Sequence, residues 1–285
     1  MTQMKPFLHV LAIATLGASA GLAKDSAPVG DDVIAAQRAA LAQSTEGEGF
    51  GPQAPRDLGT LDGENARIFG AAPAAELMNL CNIHFHKNAE HKGGEFTTYA
   101  GNGNGKGVDT GFRYDGELSE AELAPLGRDV GGGKYGNLTP GDTIEVHYVH
   151  TTAQVTPGPT LGACLDESIG NPQLRVEAQV FVLVNDAEAA DFVAFNAVEE
   201  VNGLYQAVGR PTDTGAPIEY SGSTTGPSYN TVGSPFQVTW SVRPEVLKVS
   251  ITSVEAWLAD NIFDEGDAHG VRNLVINPAL ISPIN

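Results

Sequence analysis

The spacing of apolar and polar positions favours short strands over helices in this chain. Leu174–Val184 (LRVEAQVFVLV) is almost continuously apolar and rich in β-branched residues, the pattern of a central strand covered on both faces. Thr143–Thr151 and residues 78–86 read as two more strands, and residues 236–242 and 247–251 as a further pair. Residues 271–276 read as a last edge strand. Helical patterning is confined to residues 32–43 and to a short helix that Ser253 caps and that runs to Leu258. Residues 44–55 and the acidic stretch 263–270 read as loops. These elements predict a mainly β, α+β fold: one domain around a large, twisted, mixed central sheet with short peripheral helices.

One region breaks this rhythm. Residues 98–140 carry GNGNGKG at 101–107 and GGG at 131–133, a glycine content that predicts turns and long surface loops inserted between strands.

The first residues read differently again. Lys5 precedes an apolar run over residues 7–22, and Gly21, Leu22 and Ala23 form a small-residue cleavage pattern. This predicts an export signal over residues 1–23, leaving 24–285 as the mature domain in the periplasm or outside the cell. A run of roughly 15 residues is short for a membrane anchor. The net charge of −19 repels phosphate backbones and anionic membranes, so neither nucleic acid nor a membrane surface is expected as a partner. Two cysteines in an exported chain suggest one disulfide, Cys81 to Cys164, or else two buried thiols. The sequence leaves the oligomeric state open.

Candidate chemistry concentrates in two segments, CNIHFHKNAEH at 81–91 and IEVHYVH at 144–150, which hold five of the seven histidines. On extended backbone His84 and His86 share a face, and Phe85 points away. His147 can add a third imidazole from a neighbouring strand, and three neutral imidazoles with one open position are what a catalytic zinc site needs. A lone His-x-His pair is as often a chance surface pair or a pair of buried hydrogen-bond donors. Glu145 shares the face of His147 and is placed to fix its tautomer, as carboxylates behind metal-bound histidines do. His150 has the opposite strand parity and is not expected in the same site. His91 reads as a hydrogen-bonded histidine behind it.

Together these segments resemble the zinc signature of the α-class carbonic anhydrases. That family has an HFHxxxEH segment and a later ExHxVH strand. GSTTGP at 222–227, followed by Val238-Thr239-Trp240, is similar to the family's threonine loop and the strand after it, one residue short. GPQAPRDL at 51–58 is more loosely similar to an early family segment. The resemblance implies an α-class-like sheet with His84, His86 and His147 as zinc ligands. It implies that Glu90 holds a gatekeeper threonine, Thr224 in the first place with Thr225 beside it, the register of the shortened loop being open by one residue, and that Glu145 stands behind the third ligand. Val149 and Trp240 would line the apolar carbon dioxide pocket. The long stretch between His91 and Glu145 departs from the family, as does the lack of histidine between residues 60 and 81, where the usual proton shuttle sits. Both departures point to a divergent, δ-like branch.

The activity so implied is reversible hydration of carbon dioxide to bicarbonate and a proton by metal-bound hydroxide. Without the usual shuttle, turnover would depend on external buffer or on a group such as His269. Two rivals stand beside this reading. A cupin-type metalloprotein would use His84, His86 and Glu90 as ligands, favouring iron or manganese. An exported zinc-binding protein would keep the site without turnover.

Overall fold

The computed structural model of the chain describes residues 27–67 and 69–284, so the expected export signal lies outside the described residues. Twelve strands are present among them. They are β1 (Asn79–Lys87), β2 (Thr98–Asn102), β3 (Thr110–Arg113), β4 (Val130–Gly133), β5 (Gly136–Leu138), β6 (Thr143–Thr151), β7 (Leu174–Val184), β8 (Val198–Val201), β9 (Leu204–Ala207), β10 (Ile218–Ser223), β11 (Gln237–Val242) and β12 (Leu247–Ser250). The helices are α1 (Asp31–Thr45), α2 (Phe192–Phe195) and α3 (Ile251–Ala259), with four short 3-10 turns.

Six strands form one mixed sheet in the order β1-β6-β7-β11-β10, with β12 also paired to β7. The β1–β6 and β6–β7 pairs are antiparallel, whereas β11 and β12 run parallel to successive halves of β7. β7 is buried along its whole length, as its apolar run requires. Its odd positions Phe181 and Leu183 join one core cluster and its even positions Val176, Ala178 and Val180 the other. The first cluster seats α2 and α3 through edge-on contacts of Phe192 with Phe85 and Trp257, at centroid distances of 5.7 and 5.4 Å. The second cluster lies on the face that carries the histidines.

Period-2 alternation sorts β6 cleanly. Ile144, Val146 and Tyr148 enter the first cluster, and Val149 enters the second. His147 has the parity of Val149, and His150 has the opposite one. His150 is buried, and its Nδ1 donates to the carbonyl of Tyr148 at 3.0 Å. Burial, followed by the charge of Arg210, pushes the His150 pKa down to about 3. The unfolded chain takes up that proton near pH 6.5. This contribution to stability is therefore complete above pH 6.5 and declines as pH falls toward 3, by up to about 1.4 kcal/mol per pH unit. His150→Gln is expected to flatten the acid-side decline in urea midpoint between pH 6 and 4 relative to the parent. Equal slopes would remove the assignment.

Three details differ from the sequence expectation. Ser253 does not cap α3: Ser250 holds the N-cap position without a side-chain bond, and Ser253 lies inside the helix, its hydroxyl donating to the Ser250 carbonyl. Residues 271–276 form no strand, because only Val275 makes a bridge, to Arg56. The glycine-rich region is more ordered than a run of loops, since it folds into the hairpins β2–β3 and β4–β5. Among the described residues no helix is long and apolar enough to cross a membrane.

Candidate metal centre

Register builds the site. In the β1–β6 pair His84 lies directly opposite His147, and His86 lies opposite Glu145. Same-face neighbours across an antiparallel pair are about 4.5–5.5 Å apart, so three imidazoles converge without any loop. A slip of one residue would turn the β1 histidines into the opposite core. The ring centroids of His84, His86 and His147 form a triangle with sides of 5.4, 5.1 and 4.7 Å. Ala178 is the β7 partner of His147, and its small side chain leaves room above the sheet.

Each imidazole has one nitrogen committed to an acceptor. His84 Nδ1 meets Asn82 Oδ1 at 2.6 Å, and the Asn82 amide is oriented by donating Nδ2–H to the Gly158 carbonyl at 3.0 Å. His86 Nδ1 donates to the Gly270 carbonyl at 2.7 Å. His147 Nε2 donates to Glu145 Oε1 at 2.9 Å. Because every one of these partners accepts, the committed nitrogens carry the hydrogens. His84 Nε2, His86 Nε2 and His147 Nδ1 are therefore left as lone pairs. His86 Nε2 is buried with no partner at all. His84 Nε2 and His147 Nδ1 face each other at 3.3 Å. Two lone pairs at that distance repel unless a cation joins them. Nitrogens bound at about 2.0–2.1 Å to a tetrahedral ion stand about 3.3 Å apart, so this pair has the spacing of two ligands of one ion.

Electrostatics favour the same state. Burial lowers the pKa of all three histidines, that of His86 to about 3, and the neighbouring imidazoles lower those of His84 and His147 further. They are neutral at pH 7 and ready to ligate without losing a proton. Behind them, Glu145 accepts four hydrogen bonds: from His147 Nε2, from His91 Nδ1 at 2.6 Å, and from the backbone N–H groups of Glu90 and His91 at 2.7 and 3.1 Å. Burial pushes this carboxyl up, but electrostatic interaction with His91 and His147 and the hydrogen bonds they donate outweigh it and hold it well below the usual carboxylate range. His91 continues the chain by accepting from the Tyr220 hydroxyl at 2.6 Å.

Glu90 is fully buried. Its Oε1 accepts from the Arg272 backbone N–H at 3.0 Å and lies 3.6 Å from His86 Nδ1, the nitrogen that already bears a hydrogen. Its Oε2 has no partner at hydrogen-bond distance. Burial raises the Glu90 pKa, and the nearby Thr225 hydroxyl works in the opposite direction as a donor. Thr224 is committed elsewhere, with its hydroxyl 3.2 Å from that of Ser234. Neither threonine singled out in the sequence is hydrogen-bonded to Glu90, and of the two it is the Thr225 hydroxyl that bears on the Glu90 carboxyl.

The histidines open into a cavity of about 780 Å³ with an apolar wall that includes Val149, Val176, Leu161 and Trp240. The Trp240 ring stands edge-on to His147 and His91, at centroid distances of 4.9 and 4.8 Å. The wall through Leu161 is tied to β1 by the Cys81–Cys164 disulfide. Cys81 is the extra residue of a bulge, because the β1–β6 register shifts between Leu80 and Asn82.

Several residues of the site were not found from the sequence. Asn82 shares strand parity with His84 and His86, so a period-2 search could have found it. Gly270 and Arg272 could not be found that way. They arrive because the 263–270 loop docks along the edge of β1, with His269 N–H on the Phe85 carbonyl at 2.8 Å and Lys87 N–H on the His269 carbonyl at 2.9 Å. The same docking stacks His269 on His84 at 5.2 Å and pairs its Nε2 with Glu265 at 2.7 Å. An imidazole therefore stands at the cavity wall, contributed from the far end of the chain.

Potential ligand atoms fall into two overlapping groups, each within 4.8 Å: His84, His86 and His269, and His86, Glu90 and His147. Neither group joins His84, His86 and His147; these three are related by the pattern of committed nitrogens and by the 3.3 Å approach of His84 Nε2 to His147 Nδ1.

Comparison with known proteins places the chain in a family. A family profile described as Delta carbonic anhydrase matches residues 75–253, which include both histidine strands and Trp240. Among solved structures, the chain is similar to an alpha-carbonic anhydrase of Photobacterium profundum at 15% identity, over 86% of this chain and 95% of that one. Its TM-score of 0.28 is too low to define the fold. No curated protein matches the chain.

Proposed function

We propose that this chain, which belongs to the delta carbonic anhydrase family, holds one zinc ion on His84, His86 and His147 and reversibly hydrates carbon dioxide to bicarbonate and a proton. One observation carries the reading: three imidazoles, His84 half-buried and His86 and His147 buried, whose hydrogens are all committed elsewhere, with the bare nitrogens of His84 and His147 facing each other and that of His86 wholly unpartnered. Zinc bound there supplies an acidified water as nucleophile, and an all-neutral ligand set leaves the ion its full positive charge for that purpose.

The chain's own groups do the rest. Glu145 fixes the tautomer of His147 and keeps its Nδ1 free. In this reading the Thr225 hydroxyl supplies the donor that Glu90 Oε2 lacks, which leaves its oxygen lone pairs to accept a hydrogen from the nucleophile and orient it. Val149, Val176 and Trp240 give uncharged carbon dioxide an apolar seat and keep bulk water from it. The same reading takes the sheet as α-class-like, the mature domain as residues 24–285, and the protein as exported to the periplasm or beyond the cell. An oxidised Cys81–Cys164 pair supports export.

The reading in which Glu90 is itself a ligand is disfavoured, because its Oε1 is held by Arg272 and faces a hydrogen-bearing nitrogen of His86. Metal analysis with stopped-flow hydration decides among the three. One zinc per chain and chelator-sensitive hydration is the expected result. Zinc without hydration would leave a binding protein, and iron held through Glu90 would favour the rival site.

A further inference from the structure

The chemistry above makes no use of the glycine-rich insertion, yet part of that insertion reaches the cavity. β4 and β5 pair at Gly133 and Gly136, leaving Lys134 and Tyr135 as a two-residue turn. The turn is docked against the 263–270 loop, and the glycines make this docking feasible. A Cβ on Gly133 would fall 1.3 Å from an Asp267 carboxylate oxygen, and a Cβ on Gly270 would fall 2.3 Å from the Tyr135 ring. Gly270 is the residue whose carbonyl orients His86. Tyr135 thus packs on the backbone behind a ligand, and Lys134 is carried to the cavity rim.

The charge at that rim is unbalanced. Among the described residues Lys134 is the one lysine or arginine lining the cavity, whose lining also includes Asp264, Glu265 and Asp267. The whole chain carries −19, so an approaching anion meets repulsion nearly everywhere else. Lys134 Nζ lies over the Tyr135 ring, 5.1 Å from its centroid, which steadies the ammonium group at the rim. Carbon dioxide is uncharged and does not feel this cation, whereas bicarbonate and other small anions do.

We propose that Lys134 is the anion-recognising residue of this site, presented by the insertion hairpin to bicarbonate and to small monovalent anions that compete with it. This inference rests on the functional reading above. The equilibrium of a reversible reaction fixes the ratio of kcat/KM in the two directions, so the effect of Lys134 is read in anion affinity and not in that ratio.

The test is thiocyanate binding to the full-length, cobalt-substituted protein, followed by visible absorption, for the parent and for Lys134→Ala, Lys134→Glu and Lys134→Arg. At about 10 mM ionic strength the dissociation constant is expected to rise about threefold for alanine and about tenfold for glutamate, with arginine close to the parent. In 1 M salt, where the screening length is about 3 Å, the differences should vanish. A Lys134→Glu protein that binds thiocyanate like the parent at low salt would overturn the proposal. So would an arginine variant as weak as the alanine one, because packing and not charge would then be responsible. A parent that takes up cobalt and hydrates no carbon dioxide, but still shows the charge series, would remove the turnover reading and keep this one.

Discussion

His147→Ala is expected to lower zinc affinity by about two to four powers of ten while the protein stays folded. The size follows from sharing roughly 10–16 kcal/mol of binding free energy among the ligands of a zinc site, about 3–5 kcal/mol each. The geometry adds a reason for the upper part of that range. His147 supplies the nitrogen that faces His84 Nε2 at 3.3 Å, so its removal separates the remaining pair from any third donor on β6. It also takes away one of the four hydrogens that satisfy Glu145, leaving a buried charge short of a partner. Competition with a chromophoric chelator gives the affinity, and far-ultraviolet circular dichroism of the metal-free proteins confirms the fold. A variant that binds zinc as tightly as the parent would show that the three imidazoles do not share an ion.

Thr225→Val is expected to cut kcat/KM for hydration about 100-fold, and Thr224→Val less than threefold. An oriented hydrogen bond at the reacting centre is worth about 2.7–4 kcal/mol in catalysis, so losing it costs about two powers of ten or more. The Thr225 hydroxyl lies near Glu90, whose Oε2 has no partner at hydrogen-bond distance. The Thr224 hydroxyl contacts Ser234, outside this chain of bonds. Valine keeps the size and branching of threonine, so packing is nearly constant in both variants. Zinc affinity should be unchanged in both, which separates orientation from ligation. Equal losses at the two positions, or a larger loss at Thr224, would move the gatekeeper by one residue.

The central elements of the fold were legible because their signals are local. β6 and β7 match their expected bounds, since alternation and β-branched runs suffice to define a strand in mid-sheet. Peripheral elements were less legible. β8 and β9 are four residues each and, apart from Ala207, exposed or half-buried, so no buried apolar period marks them. The segment 271–276 has strand-like composition but pairs through Val275 alone, because its backbone is taken up by other contacts: Val271 with Gly107, and Arg272 with Glu90.

The candidate site divides along the same line. His84, His86, His147 and Glu145 could be placed on one face from sequence, because a strand's period of two is enforced by the backbone itself. That the two strands are neighbours, in the register that sets His84 against His147, is a matter of long-range pairing. The partner that settles the tautomer of His86, the donor near Glu90, and the lysine at the rim come from turns and loops, whereas Asn82, the partner of His84, lies on β1 itself. Their positions depend on what they pack against, and no local pattern encodes that. The sequence by itself determined which side chains could ligate and which way they alternate. Only the tertiary structure decided which nitrogen of each is bare and what lines the way in, because hydrogen-bond partners and docked loops are chosen by contacts between distant parts of the chain.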